Sequence, residues 1–326
     1  MKQGLTMFYS YRLSGVPMAK EFKTLEELIE LMESRGIVTD ENTRSQLSRE
    51  SYYAVINGYK QPFLDREAMS RSADDVYVSG TRFEWIYALF SFDRDLRAVT
   101  FKYLAQAEAI MKNAVVYEFC RANPDPSSYL ATSSYASVGE MLFAKGFKGN
   151  RAKIHQTSIT RLMRTLNAKA GGSDGKQFIS HYIEHYGFVP LWVLSNDLTF
   201  GQVSHFYQLQ KRSVQSRACR MISEGIGSDR RITPQELLRA FSVLVEFRNI
   251  CAHDERLYCA KVGKSGDVGY YEMAEILSWI LPEKEFDSFL SEIATLFTMR
   301  EEPLRVVTRE SLLRDMGFDV SGMGES

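Results

Sequence analysis

Three side chains near position 250 have the types and spacing for acid–base chemistry on a phosphodiester. The segment 247–254 reads FRNICAHD. Histidine exchanges protons near neutral pH, and arginine is a permanent cation whose planar fork matches phosphate oxygens. His253, Arg248 and Asn249 therefore fit a ribonuclease site: His253 would move the proton of the RNA 2′-hydroxyl, Arg248 would hold the phosphorane, and Asn249 would orient the phosphate or the imidazole. This chemistry needs no metal.

The position of Arg248 on its helix leaves two interpretations open. Asn249 and His253 are four residues apart and share a helix face, whereas Arg248 continues an apolar stripe that includes Leu237 and Phe241. A charge on such a stripe is costly unless it is paired or faces a partner. Either Arg248 faces a partner, or it is a surface arginine whose aliphatic stem packs on a neighbouring helix.

Capping signals predict the helices that must position this site. Thr233 and Glu236, with Pro234 between them, start a helix that we expect to run to about residue 255. Thr24 and Glu27 form a second capping box. No glycine or proline occurs from 82 to 123, which predicts one very long helix or two with a soft break. Strand signals are few, so the chain is expected to be all-α.

Length and composition limit the class of protein. The chain has 326 residues, four cysteines and a formal net charge of -1. These values exclude a disulfide-stapled secreted scaffold and a globally basic nucleic-acid coat. No apolar stretch reaches the length of a membrane span, and the N-terminus lacks the apolar core of a signal peptide, so we expect no membrane partner and a cytoplasmic location. The expected domains are an N-terminal helical module (1–75), a helical domain (76–305) with a basic insertion at about 125–231, and a C-terminal tail (306–326).

Two basic runs lie within the neutral total. Residues 145–176 hold eight Lys or Arg against one acid, and residues 211–231 hold six against two. Such runs are typical of solvated helix faces, but two of them upstream of the 247–254 segment also favour a phosphate-binding surface. The candidate RNA-binding residues are Lys145, Lys148, Arg151, Lys153, Arg161, Arg164, Arg217 and Arg220.

Longer blocks of the sequence resemble a known family. Arg248-Asn-x-x-x-His253 is similar to the R-x(4–6)-H motif of HEPN-domain ribonucleases. FRNICAHDERLY, FISHYIEHYGFVPLWVLSNDLTFGQVSHFY and LFSFDRDLRAVTFKYLAQAEAIMKNAV resemble, in order, blocks of the Abi-like family of abortive-infection proteins. The similarity covers roughly residues 20–300. It departs from the family pattern at Asp254, where Asn or His is usual, and at Ser51.

The resemblance implies an all-α fold: a HEPN-type helical bundle with an N-terminal helical module and helical insertions. It further implies a homodimer whose two motif helices form one cleft, and a metal-independent endoribonuclease in bacterial defence against phage. RNA is the implied partner, and a noncoding RNA is a further candidate. The alternatives are a non-catalytic HEPN-fold module that binds or senses RNA, and a purely structural interaction protein.

Glu108 is a supporting candidate. It lies on an apolar stripe of the predicted long helix, where a carboxylate needs a cation. HEPN proteins often place an acid of the long helix near the motif arginine, which favours Arg248 as its partner. Arg97 or Lys112 would instead make a structural pair.

Metal and cofactor signals are weak. His181 and His185 are four apart but lack the glutamate of a zincin, and Cys251, His253 and Cys259 lack a fourth ligand. Phosphate-binding glycine loops are also missing from the sequence. We therefore expect no metal and no cofactor.

Overall fold

A computed structural model describes residues 21–71, 74–143, 146–227, 229–299 and 307–320. The structure is 66% helical, and no strand or sheet occurs among the described residues. This helix content is far above the average for globular proteins and confirms the all-α prediction. The α-helices are α1 (Leu25–Ser34), α2 (Thr43–Arg49), α3 (Arg66–Met69), α4 (Phe83–Ala122), α5 (Arg151–Ala170), α6 (Gln177–Tyr186), α7 (Leu191–Leu194), α8 (Phe200–Gln208), α9 (Arg212–Gly225), α10 (Pro234–Ala252), α11 (Tyr270–Ser278), α12 (Glu283–Met299) and α13 (Arg309–Asp315).

The chain divides into two compact units between Tyr87 and Ala88, within α4. The first unit holds α1 to α3, with short π and 3₁₀ turns at Tyr53–Asn57 and Gln61–Phe63. Its segments are tied by isolated β-bridges, of which one joins Leu64 to Tyr77. The capping box predicted at Thr24 is present, and it begins α1 as expected.

The second unit is built on α4, which at about 1.5 Å per residue is about 60 Å long. The stretch without glycine or proline is thus a single helix. Aromatic side chains of α4 pack against two other helices: Phe92 lies 5.1 Å from Phe297 of α12 between ring centroids, and Phe119 lies 5.0 Å from Phe206 of α8. These contacts fix α4 within the core of the unit.

Helix α10 carries the 247–254 segment and is held by α8, α9 and α11. The rings of Phe200 and Tyr207, both on α8, pack on Phe241 of α10 at centroid distances of 5.7 and 5.2 Å. Leu237, Phe241 and Leu244 have no exposed surface at all. The apolar stripe of α10 is therefore core within one chain, so a partner that faces Arg248 cannot contact the stripe itself.

The end of α10 also differs from the prediction. The capping box at Thr233 begins the helix as expected, but the helix ends at Ala252, about three residues earlier than predicted. His253 is the C-cap residue, and Asp254 takes the left-handed backbone conformation with φ 57°. Asp is one of the few side chains that enter this region readily, and the change of direction separates His253 from the loop that follows.

Candidate active site at the end of α10

Arg248 lies against Glu108 of α4. Its Nε is 3.5 Å from Glu108 Oε2, and Lys112 approaches the other carboxylate oxygen at 3.8 Å. The Arg248 side chain is 30% exposed and the Glu108 side chain 15%. The sequence left Arg248, Lys112 and Arg97 as possible cation partners of Glu108. The structure pairs Glu108 with both Arg248 and Lys112, while Arg97 belongs to a different network. A carboxylate between two cations holds the arginine in place without removing the net positive charge of the cluster.

The guanidinium of Arg248 keeps an unused donor. Its buried Nε makes no hydrogen bond within the described part of the chain, although it lies 3.5 Å from Glu108 Oε2. Nη1 makes only a long contact of 3.4 Å to Asn249 Oδ1. The side chain is still 30% exposed, so the guanidinium can meet an added oxygen such as that of a phosphate while Glu108 holds its buried Nε edge.

Asn249 and His253 are exposed on the last turn of α10. The backbone N–H of His253 donates to Asn249 O at 2.9 Å, which places the two residues one turn apart. The imidazole of His253 has no hydrogen-bond partner among the described residues, so both ring nitrogens are open to a ligand. The structure therefore places Arg248, Asn249 and Glu108 together, with His253 at the exposed end of the same helix.

Two buried charges of α4 hold the loop that follows His253. Arg97 Nη1 donates to Asp93 Oδ2 at 2.7 Å and to Glu255 O at 3.2 Å, and Arg97 Nη2 pairs with Asp254. Asp93 also accepts from two backbone N–H groups of the loop, those of Leu257 at 2.9 Å and Tyr258 at 2.7 Å. We call these contacts of Asp93 and Arg97 the loop clamp. It determines where α10 ends and hence where His253 stands.

Sequence reasoning missed the loop clamp as part of the site. Asp93 is fully buried and Arg97 is 3% exposed, and they stand one helical turn apart. A carboxylate and a guanidinium at i and i+4 among buried positions such as Leu89 and Leu96 are a signal for a buried network with a third partner. Asp254, recognised from sequence only as a departure from the family pattern, is that partner.

The cysteines near the site are not activated as thiolates. Burial raises the pKa of the Cys251 thiol to about 12 and also raises that of Cys259, so both are neutral thiols near pH 7. His185 Nδ1 lies 2.9 Å from the backbone oxygen of His181, a contact within α6. Among the described residues, no group of three or more His, Cys, Asp or Glu side chains is placed to hold a metal ion.

The predicted RNA-binding residues differ in their surroundings. Lys148, Arg151 and Lys153, like Arg161, Arg164 and Arg220, have exposed side chains. Arg217 instead donates to the buried carboxylate of Glu118 at 2.9 Å, so its charge is used inside the protein. Lys145 lies outside the described residues.

The two basic runs meet at one point. Arg151 at the start of α5 and Arg212 at the start of α9 line the same cleft of about 440 Å³, together with Glu140. Arg151 also lies over the Phe143 ring, 5.1 Å from its centroid. Helix α5 contains no acid, and its buried Lys169 is paired with Asp174 and Asp197. Lys153, Arg161 and Arg164 are exposed and lie within about 80° around the helix axis, so they form one stripe of cations on a helix without an acid; we call it the α5 stripe.

These features define an all-α protein with an arginine, an asparagine and a histidine at the end of one helix, held by acids and a cation of a second. The chain belongs to the Abi-like protein family, whose sequence model matches residues 45–259, roughly two thirds of the chain. The matched range includes Glu108, Arg248 and His253. No curated protein and no solved structure matches the chain. The described helices include none with both the length and the apolar character to cross a membrane.

Proposed function

We propose that this protein is a HEPN-type endoribonuclease that cleaves RNA without a metal and acts in abortive infection, the role to which its family points. The observation that carries the proposal is the pairing of Arg248 with Glu108, which holds a partly exposed guanidinium in place on the helix that ends at the exposed His253. A fixed cation with an open donor fits a phosphorane oxygen, and an unhindered imidazole fits proton transfer.

The reaction follows from these groups. The 2′-oxygen attacks the adjacent phosphorus while a base takes its proton, the phosphorus–5′-oxygen bond breaks, and an acid gives the leaving oxygen a proton. Arg248 neutralises the charge that develops on the phosphorane, and Asn249 orients the phosphate. The products are a 2′,3′-cyclic phosphate and a 5′-hydroxyl.

Base and acid are two separate roles, and the motif supplies one histidine per chain. A second copy that brings its own motif histidine to the same phosphate would supply the other role, which is the chemical reason to propose a homodimer. The buried stripe of α10 is not available for that contact. The exposed residues of the last turns of α10, Ser242, Glu246 and Asn249, are available.

RNA is the proposed partner for the stripe on α5. Its exposed cations Lys153, Arg161 and Arg164 have no acid on their own helix. A strand of RNA would release counterions on binding to such a surface, so affinity would fall with salt. A noncoding RNA partner would use the same surface.

The test is cleavage of RNA by the purified protein in EDTA, with His253→Ala and an exposed-residue control, Glu184→Ala, beside it. We expect cleavage to persist in EDTA, to give 5′-hydroxyl and cyclic or 3′-phosphate ends, and to fall by about 10²-fold or more in His253→Ala alone. Ends with 5′-phosphate and 3′-hydroxyl would contradict the mechanism. Equal cleavage by both variants would remove His253 from the mechanism, and RNA binding without cleavage by the wild type would favour a module that only binds RNA.

Oligomeric state is tested separately. The chain should run in solution at twice its 37.3 kDa. When His253→Ala chains are mixed with wild type, heterodimers should have well under half of the wild-type activity, because each would lack one of the two roles. A monomer with full activity would contradict the composite site.

A further inference from the structure

A groove on the surface of the second unit adjoins the Arg248 pair. Its volume is about 610 Å³, and one of its walls is the face of α4 that carries Glu108, Lys112 and Asn113. Trp192 and Asn196 line it from α7 and the turn that follows. Because Glu108 also contacts Arg248, the groove begins where the proposed catalytic cation is held.

The lining has two large exposed aromatic side chains. Trp192 is 53% exposed and Tyr117 is 54% exposed. Ala105 and Ala109 also line the groove, and their small side chains leave it open. Flat, exposed rings beside an open floor can stack a planar group, and a nucleobase stacks on such rings whatever its sequence.

The same lining has two amide side chains, those of Asn113 and Asn196. Asn113 is exposed, and Asn196 is exposed while its Nδ2 donates to Val193 O at 3.1 Å, which fixes its orientation. Lys112 is anchored by a bond of 2.9 Å from its Nζ to Leu198 O. Amide groups both donate and accept, which suits the mixed edges of bases.

We infer that this groove binds an unpaired nucleobase of the RNA next to the phosphate held by Arg248. The inference rests on the proposed function and gives its substrate class: single-stranded or looped RNA rather than continuous duplex. A base inside a duplex has both faces covered by its neighbours and cannot enter the groove. Trp192 is a positioning residue that places the phosphate on Arg248 through the base it stacks.

The experiment uses full-length His253→Ala, so that RNA is bound without being cut, and follows tryptophan fluorescence. An unpaired RNA oligonucleotide is titrated, and then the same strand fully paired with its complement; Trp192→Phe in the same background assigns the signal of Trp192. We expect the unpaired strand to quench that signal and the duplex to leave it unchanged. Trp192→Ala should weaken binding of the unpaired strand by roughly five- to a hundredfold, the range for loss of one stacked base.

Controls separate this inference from its alternatives. Tyr53→Ala removes a 76% exposed ring of the first unit and should bind as the parent does, while Asn196→Ala should alter the preference among bases. Equal binding of paired and unpaired RNA with unchanged Trp192 emission would overturn the inference. So would conversion of a dimer to a monomer by Trp192→Ala, because a second copy would then cover the groove.

Two outcomes separate this inference from the proposed function. If the wild type cleaves no RNA yet the quenching persists, the proposed function fails and base binding stands. If Trp192→Ala in an otherwise wild-type chain cleaves unpaired RNA with unchanged KM, the groove inference alone fails.

Discussion

The loop clamp and the stripe on α5 use charge in opposite ways. At the clamp, Asp93 and Arg97 are almost fully buried, and each makes several hydrogen bonds. On α5, Lys153, Arg161 and Arg164 are exposed, and their helix carries no acid. The chain is nearly neutral as a whole, so the two regions differ in where their charged residues are placed and not because the chain has an excess of one charge.

The difference indicates which charges are structural and which are available to a ligand. A buried pair contributes geometry: it fixes the end of α10 and so the position of His253. An exposed stripe adds little to stability, because water and salt screen it, but it attracts a polyanion from a distance. Arg248 is intermediate, since it is partly buried and paired but keeps an open donor.

We expect the largest effect from Asp93→Ala, which removes the carboxylate at the centre of the loop clamp. This change removes the buried carboxylate partner of Arg97, which keeps only Asp254 as an ion-pair partner among the contacts of the loop clamp, and it leaves the N–H groups of Leu257 and Tyr258 without their acceptor. We expect the free energy of unfolding to fall by about 3–5 kcal/mol, measured by urea unfolding. The control Arg164→Ala should change it by less than about 0.5 kcal/mol. Similar small losses in both variants would mean that the clamp is not structural.

Substitution of Arg248 tests the charge that is partly buried and partly available. Arg248→Ala should lower the rate of RNA cleavage by about 10²-fold or more, while most of the folding stability is retained, since the side chain is only partly buried. Arg248→Lys keeps the charge but loses the fork, so it should restore only part of the rate. Rates are compared in single-turnover cleavage. Full activity of Arg248→Ala would remove this residue from the mechanism.

The smallest expected effect concerns the α5 stripe. Reversal of charge at Arg161 and Arg164 together should weaken RNA binding without loss of stability. Each lost phosphate contact should also reduce the slope of log affinity against log salt by about 0.7 to 0.9. Arg217→Glu provides a contrast: because Arg217 pairs with buried Glu118, it should destabilise the fold. An unchanged slope in the α5 variant would identify the stripe as a solvated face.

Local signals predicted most of the helical architecture. The capping boxes at Thr24 and Thr233 and the stretch from 82 to 123 depend only on neighbours in sequence, and each appears as expected. The end of α10 was predicted too late, because Asp254 is drawn into the left-handed conformation by contacts with α4, more than 150 positions away in the sequence. No periodicity within one helix contains that information.

The candidate site was predicted in its residue types and in the pairing of Glu108 with Arg248, but not in the packing around them. Arg248, Asn249 and His253 follow from a short motif, and Glu108 follows from a charge on an apolar stripe. The burial of Phe241 and Leu237 within one chain was not predictable, since a stripe looks the same whether another helix of the chain or a second copy covers it. The pairing of Arg217 with Glu118 was hidden for the same reason.

Because α4 is one uninterrupted helix, it fixes the distance and the angle between the residues it carries. Arg97 and Glu108 are eleven residues apart, close to three full turns, so both point to the same side of the helix at a separation of about 16 Å. Inserting or deleting a single residue between them would rotate one by about 100° relative to the other, so Arg97 and Glu108 would no longer face the same side of the helix. Over evolution this interval should accept exchanges of side chain but resist changes of length, unlike the surface turns that join the helices.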